Sequence, residues 1–280
     1  MKAPGTRHGG GMTTKRLQQS VSRDAYSDFL PMVSWVEEEE AFLTIDDGWG
    51  QAWELVPSAY LFAHVHQALL GLFNIQFAAG TVVQLHCFAD PLIDQALDAY
   101  LDLKTRPDPL IQASARRTAH YLRDGTQGLP ALHGIPIRNF RVLLAIKTRK
   151  PLGADLRRQI EEQLSKLGIM RMAPQALVSF YRRIFNGAFE SAPGVFAKGS
   201  PDHPARPVRK QIIDAGPALL FDGPELYFGN QVARCLTPKS PARRVTAERC
   251  NRLLGGMRGA AEDSDQIGGP FLYTLNVLFD

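Results

Sequence analysis

Cysteine is scarce in this sequence, which has three in 280 residues. Cys87, Cys235 and Cys250 lie far apart, share no CxxC spacing and are odd in number. A disulfide framework needs paired cysteines and a zinc site needs closely spaced ligands, so the sequence predicts neither. We therefore expect a reducing, cytoplasmic setting and no metal site.

Long apolar runs are also missing. A membrane-spanning helix needs about 20 consecutive apolar residues, and the nearest candidate, Ala59–Phe73, is interrupted by two histidines and a glutamine. The first residues, Met1–Ser20, carry Gly, Lys and Arg without an apolar core, so they do not read as a secretory signal. We predict a disordered tail over residues 1–24 and a chain that does not cross a membrane.

The motifs of common catalytic sites are absent as well. A phosphate-binding P-loop needs the order GxxxxGK[ST], and the nearest string, Gly194–Ser200, has its Lys and Gly reversed. There is no GxSxG nucleophile elbow. His64 and His66 are two apart on a predicted helix and cannot share a metal ion. The sequence predicts no catalytic, cofactor-binding or metal-binding residue.

The charge is only slightly unbalanced, with 32 Lys and Arg against 28 Asp and Glu and a formal net charge of +4. Adjacent basic residues recur, but acidic residues lie between them and no DNA-binding motif accompanies them. The pairs are Arg116-Arg117, Arg157-Arg158, Arg182-Arg183, Arg209-Lys210 and Arg243-Arg244. We interpret them as solvated faces and keep a DNA-binding module as an alternative.

What the sequence does contain is alternating strand and helix patterns. They predict an α+β fold, with a mixed sheet and packed amphipathic helices in one or two subdomains. Two β-prone runs, Ala41–Ile45 and Gln51–Val56, flank an Asp-Gly turn and predict a β-hairpin. Further strands are predicted at Thr81–Phe88, Asn139–Lys147, Ala218–Phe221, Leu226–Leu236 and Phe271–Phe279. Helices are predicted from Pro57 to Leu72, Leu92–Leu101, Leu110–Arg123, Leu156–Leu167, Pro174–Phe189 and Val245–Met257.

Proline spacing indicates how the chain is divided. Four prolines fall among Gly, Ser and Arg between residues 190 and 210, which predicts a linker there. It would separate an α/β domain over residues 25–189 from a β-rich segment over residues 211–280. An apolar strand so near the last residue is unusual, because termini tend to be polar. We therefore expect coding sequence to continue beyond Asp280.

The predicted hairpin carries the candidate interaction surface. Trp49 and Trp53 follow Asp46 and Asp47 at its turn, and tryptophan is favoured at binding hot spots. The alternative is that a tryptophan here fills the core, since one face of a hairpin must be buried. If Trp49 serves an interface, Trp49→Ala should weaken partner capture and leave folding largely intact.

An ordered series of short segments runs through the chain from about Ser27 onward. It comprises Phe29-Leu30-Pro31, Ile45-Asp46-Asp47-Gly48, Trp53–Pro57, Gly80–Leu85, Asn139–Val142, Pro238–Pro241 and Gln266–Val277. In this order the segments resemble the N-terminal region of TraC-like conjugation ATPases of type IV secretion systems. In that family this region precedes a RecA-like motor, which binds ATP and Mg²⁺. No ATP-binding residue is carried over to this chain.

The resemblance implies a non-catalytic docking and oligomerisation region that supports pilus assembly and DNA transfer. Its partners would be inner-membrane components of the secretion system and other protomers, with no direct small-molecule substrate. Its location would be cytoplasmic and peripheral at the inner membrane through those partners, and the motor would follow Asp280. Two alternatives stay open. One is the DNA-binding module, and the other is an enzyme whose site forms by long-range convergence of residues such as His120, His133 and Asp214.

Overall fold

An antiparallel sheet organises the part of the chain that the computed structural model describes, namely residues 26–57, 63–132, 136–185, 208–212, 219–228, 231–236 and 270–280. The strands are β1 (Met32–Val36), β2 (Ala41–Thr44), β3 (Trp49–Leu55), β4 (Val82–Asp90), β5 (Asn139–Thr148), β6 (Met170–Arg171), β7 (Leu219–Asp222), β8 (Glu225–Phe228), β9 (Gln231–Arg234) and β10 (Phe271–Leu278). The α-helices are α1 (Ala63–Phe73), α2 (Asp94–Asp102), α3 (Pro109–Asp124), α4 (Ala154–Gln163), α5 (Pro174–Phe185) and α6 (Val208–Ile212).

Within these residues the main sheet has seven strands in the order β1-β2-β3-β5-β4-β10, with β6 beside β3. Every pair in it is antiparallel. A second, three-stranded sheet consists of β7, β8 and β9. The prediction of an α+β fold is confirmed, and within the described residues both sheets are antiparallel rather than mixed in strand direction. None of the helices in the described ranges has the length and apolar character needed to cross a bilayer.

Helices cover both faces of the main sheet, because apolar residues on its central strands point alternately to either side. Leu143 lies with Phe88 in a core cluster that includes residues of α5 and α6. The next residue, Leu144, lies with Trp53 in a second cluster that includes residues of α1 and α4. This two-sided burial fixes the register, since a slip by one residue would exchange the two faces.

Helix α3 shows why an element begins where it does. Asp108 precedes the helix, and its Oδ1 accepts a hydrogen bond from the backbone N–H of Leu110 at 2.9 Å. Pro109 occupies the first helical position, where a missing N–H costs nothing. Ala119 of this helix packs against Ile93 and Leu97 in a third, smaller cluster.

The predicted hairpin is confirmed as β2 and β3, and the strand from Asn139 is confirmed as β5. Strand β1 and the short β6 were not predicted. The last residues of the predicted linker, 208–210, are helical in α6, because Val208 and Ile212 are buried in the core. The segment over residues 211–280 contributes β10 to the main sheet, while the division into domains stays a prediction. The tail over residues 1–24 and the helix Val245–Met257 lie outside the described residues.

Candidate interaction surface

The turn between β2 and β3 is exposed and held in one conformation. The backbone N–H of Thr44 donates to the carbonyl of Gly48 at 2.8 Å, and that of Asp47 donates to the carbonyl of Thr44 at 3.0 Å. The Thr44 hydroxyl donates to Asp46 Oδ1 at 2.7 Å. Asp47 adopts a left-handed backbone with φ of 57°, which aspartate tolerates better than most residues. The two exposed carboxylates therefore stand at a fixed tip.

Lys147 on β5 supports this tip from the neighbouring strand. Its Nζ lies 2.5 Å from Asp46 Oδ2. This hydrogen bond, followed by that from the Thr44 hydroxyl, lowers the pKa of Asp46 below its ordinary value. The Asp46 side chain is 58% exposed, so the ion pair contributes less than about 1 kcal/mol to stability. Its main effect is to orient an ionised carboxylate.

Gly48→Ala should lower the free energy of unfolding by about 1–3 kcal/mol. A Cβ at this position would lie 2.9 Å from Lys147 Cε and 3.2 Å from the Thr148 carbonyl oxygen. The lysine chain can move aside, but the backbone carbonyl cannot move without disturbing β5. Urea denaturation would measure the loss.

Gly50→Ala, two residues further on in β3, is the matched control. A Cβ there meets its nearest atom, the Phe42 carbonyl oxygen, at 3.9 Å, which is ordinary contact. Its effect should stay within about 0.5 kcal/mol. Equal losses in the two variants would show that close contact at Gly48 is not the cause.

The two tryptophans of the hairpin occupy different environments. Trp49 is half-buried at the turn end of β3, whereas Trp53 is 0% exposed within the core cluster below α1 and α4. The prediction that Trp53 belongs to the interaction surface is therefore wrong, because its side chain does not reach solvent. Trp49 remains a candidate beside Asp46 and Asp47.

Trp53 is also tied to helix α4 by a hydrogen bond. Its Nε1 donates to Glu161 Oε1 at 2.9 Å, and Arg171 Nη2 lies 2.7 Å from the same oxygen. Burial raises the pKa of Glu161, but the hydrogen bonds from Trp53 and Arg171 outweigh it and leave the pKa below its ordinary value. The carboxylate is thus held ionised between β3, α4 and β6.

The acidic run Glu37–Glu40 forms the turn between β1 and β2. It is not wholly solvated, because Arg171 Nη1 lies 2.6 Å from Glu40 Oε2. Arg157 approaches the same oxygen at 3.4 Å and donates to the carbonyl of Glu39 at 2.7 Å. The run therefore anchors one end of the sheet to helix α4.

A buried ion pair that sequence reasoning missed joins the end of β4 to helix α5. Asp90 is 0% exposed, and its Oδ2 lies 2.8 Å from Arg183 Nε. Asp90 Oδ1 accepts from the backbone N–H of Leu92 at 2.9 Å, and Arg183 Nη2 donates to the Leu92 carbonyl at 2.8 Å. Burial raises the pKa of Asp90, and the charge of Arg183 opposes that rise. In the sequence, the position of this pair is marked only by the Asp90-Pro91 step before α2, which does not indicate Arg183 as the partner.

Beside this pair, Arg141 on β5 makes a second supported ion pair. Its Nε and Nη2 donate to the two carboxylate oxygens of Glu54 at 2.7 and 2.9 Å. The guanidinium also lies 4.9 Å from the centre of the Phe180 ring. Bidentate pairing and a flanking ring restrict the arginine to one geometry. The ring contact ties this sheet pair to α5.

The basic pairs are largely engaged within the chain. Arg182 donates to the Gln211 carbonyl at 2.6 Å, and Arg158 pairs with Asp155. Lys210 lies 3.1 Å from Asp28 Oδ1. Arg243-Arg244 lies outside the described residues. Arg116-Arg117 is exposed on α3. Because phosphate binding needs unengaged cations, this pair keeps the DNA-binding alternative open as a prediction.

Of the three residues named for a convergent enzyme site, only His120 lies in the described part of the chain. His120 lies 3.4 Å from Asp124 on the exposed surface of α3, and His133 and Asp214 lie outside the described residues. Within the described ranges no three His, Cys, Asp or Glu side chains are placed to hold a metal ion.

Comparison with known proteins places the chain in a family. No curated protein was found that matches it. The family model of the TraC protein, however, matches residues 26–280, which include all the strands described above and the surface at the β2–β3 turn. The chain therefore belongs to the TraC family of F-type conjugative transfer proteins.

Proposed function

We propose that this chain is a non-catalytic docking and oligomerisation region of a conjugative type IV secretion ATPase, supporting pilus assembly and DNA transfer. ATP and Mg²⁺ would bind a motor domain outside this chain. The proposed partners are inner-membrane components of the secretion system and other protomers. The region would be cytoplasmic and peripheral to the membrane through those partners.

The observation that carries the docking proposal is the fixed acidic tip at the β2–β3 turn. Asp46 and Asp47 are exposed, yet backbone hydrogen bonds and Lys147 hold them in place. A surface ordered before binding loses less conformational entropy when a partner binds. Two carboxylates beside the half-buried Trp49 suit a basic partner surface with an apolar centre, because opposite charges steer association and aromatic residues anchor it.

Asp46→Asn/Asp47→Asn should weaken docking by at least about tenfold, a loss of about 1.4 kcal/mol. The substitution removes two charges, and asparagine tolerates the left-handed backbone at position 47. Sedimentation with inner-membrane vesicles from cells that carry the transfer genes would measure binding. Vesicles from cells lacking those genes show whether lipid alone suffices.

Asp98→Asn/Asp102→Asn is the matched control, because it removes the same charge from exposed positions on α2. It should bind like the unmodified chain. Equal binding to both kinds of vesicle, or unchanged binding of the Asp46→Asn/Asp47→Asn variant, would contradict docking through this tip. Neither the chain nor its variants should hydrolyse ATP.

A further inference from the structure

The two edges of the main sheet are built differently. At one edge, β1 has five residues, an irregular register between Met32 and Ser34, and the acidic run Glu37–Glu40 directly after it. Bulges, short strands and charges are common devices that keep edge strands from pairing with other chains. At the other edge, β10 has eight residues, pairs with β4 without interruption and carries no charged side chain. Among the described residues, devices of this kind are found at the β1 edge and not at the β10 edge.

Strand β10 is also exposed and apolar. Leu272, Tyr273, Leu275 and Leu278 are 43%, 59%, 43% and 60% exposed. In the described part of the chain no strand pairs with its outer side. Large apolar side chains on an open, regular edge are the features of a strand that binds another strand.

The direction of the backbone groups of β10 can be deduced from its end. The N–H of Phe279 donates to the Thr81 carbonyl at 2.9 Å, and the Phe279 carbonyl accepts from the N–H of Gly80 at 2.7 Å. Backbone groups alternate in direction along an antiparallel strand, and the register with β4 has no shift. The even-numbered residues from Leu272 to Leu278 therefore direct their N–H and C=O groups away from the sheet.

The sequence of β10 is nearly symmetric about Leu275. Thr274 and Asn276 lie one residue from Leu275 on either side, and Tyr273 and Val277 lie two residues from it. Leu272 then matches Leu278, and Phe271 matches Phe279. Polar residues match polar residues and apolar residues match apolar residues at every step. A strand with this property is complementary to a second copy of itself running in the opposite direction.

We propose that β10 pairs antiparallel with β10 of a second copy of this chain, centred on Leu275, so that the sheet continues across two protomers. Thr274 would exchange backbone hydrogen bonds with the second copy's Asn276, and Leu272 with its Leu278, which uses all the outward groups. Leu275 would lie against its own counterpart. The inference rests on the oligomerisation part of the proposed function. It names the edge of β10 as the surface through which two copies associate.

A charge swap at the centre tests this pairing. Leu275→Lys and Leu275→Glu would each place like charges directly opposite each other in the dimer, which is destabilising. Each variant alone should dimerise at least about tenfold more weakly than the unmodified chain. An equimolar mixture should recover the dimer, because lysine then faces glutamate. Analytical ultracentrifugation over a concentration series would measure the masses.

Leu70→Lys is the control, because Leu70 is an exposed leucine (49%) on α1 and not on β10. It should dimerise like the unmodified chain. A dimer that tolerates Leu275→Lys, or a mixture that stays monomeric, would overturn pairing through β10 while leaving oligomerisation intact. An unmodified chain that is monomeric at all concentrations would overturn both. The docking measurement at Asp46 and Asp47 is independent of either outcome.

Discussion

Trp53→Ala should lower the free energy of unfolding by about 3–5 kcal/mol, whereas Trp49→Ala should lower it by about 1 kcal/mol. The difference follows from burial, because Trp53 is 0% exposed and Trp49 is half-buried at the strand end. Removing the Trp53 indole leaves a large cavity between the sheet and helices α1 and α4. It also takes away the hydrogen bond to Glu161.

Urea denaturation of the two variants in parallel would measure this difference. Trp53→Phe is an informative third variant, since it keeps an aromatic ring and loses the N–H donor. We expect its free energy of unfolding to lie between those of the unmodified chain and Trp53→Ala, because Glu161 keeps its ion pair with Arg171. Similar losses for Trp49→Ala and Trp53→Ala would contradict the assignment of Trp53 to the core.

Asp90→Ala should cost about 3–5 kcal/mol, because it leaves the Arg183 guanidinium buried without its counter-ion. The side chain of Arg183 is only 13% exposed, so bulk water solvates its charge poorly once the carboxylate is gone. The backbone N–H of Leu92 loses its acceptor at the same time. Thermal and urea denaturation would both report the loss.

The double variant Asp90→Ala/Arg183→Met should regain part of that stability, since an apolar side chain needs no counter-ion. Asp46→Ala is the matched control for removing a carboxylate from an ion pair, and its loss should stay below about 1 kcal/mol because that pair is exposed. If Asp90→Ala cost no more than Asp46→Ala, the buried pair would not be a main link between β4 and α5.

Most of the individual elements could be predicted from the sequence, because each depends on local periodicity. The Asp-Gly turn gave the hairpin, and the strand from Asn139 and the helix from Pro174 begin where predicted. Strand β1 was missed although Met32–Val36 is rich in β-forming residues. It forms one β-turn-β unit with the acidic run Glu37–Glu40 and β2.

What could not be predicted is how distant elements meet. Trp49 and Trp53 are four residues apart on one strand, so alternation places them on the same face. Only the position of α1 and α4 over that face decides which of them is buried. The pairing of Asp90 with Arg183 joins residues from separate elements. No local sequence pattern around either residue predicts the other as its partner. Trp53 is therefore a core residue, and the role of Trp49 in an interaction surface stays a prediction.

The strand order also bears on how the protein is made. Strand β10 pairs with β4, and their paired residues, such as Leu275 and Leu85, are far apart in sequence. A ribosome releases β4 long before β10 exists, so one side of β4 stays unpaired throughout that interval. Long-range strand pairing of this kind is slow, and unpaired edges favour aggregation. The nascent chain therefore passes through a stage in which a chaperone, or another nascent copy, has access to a strand that the finished sheet encloses.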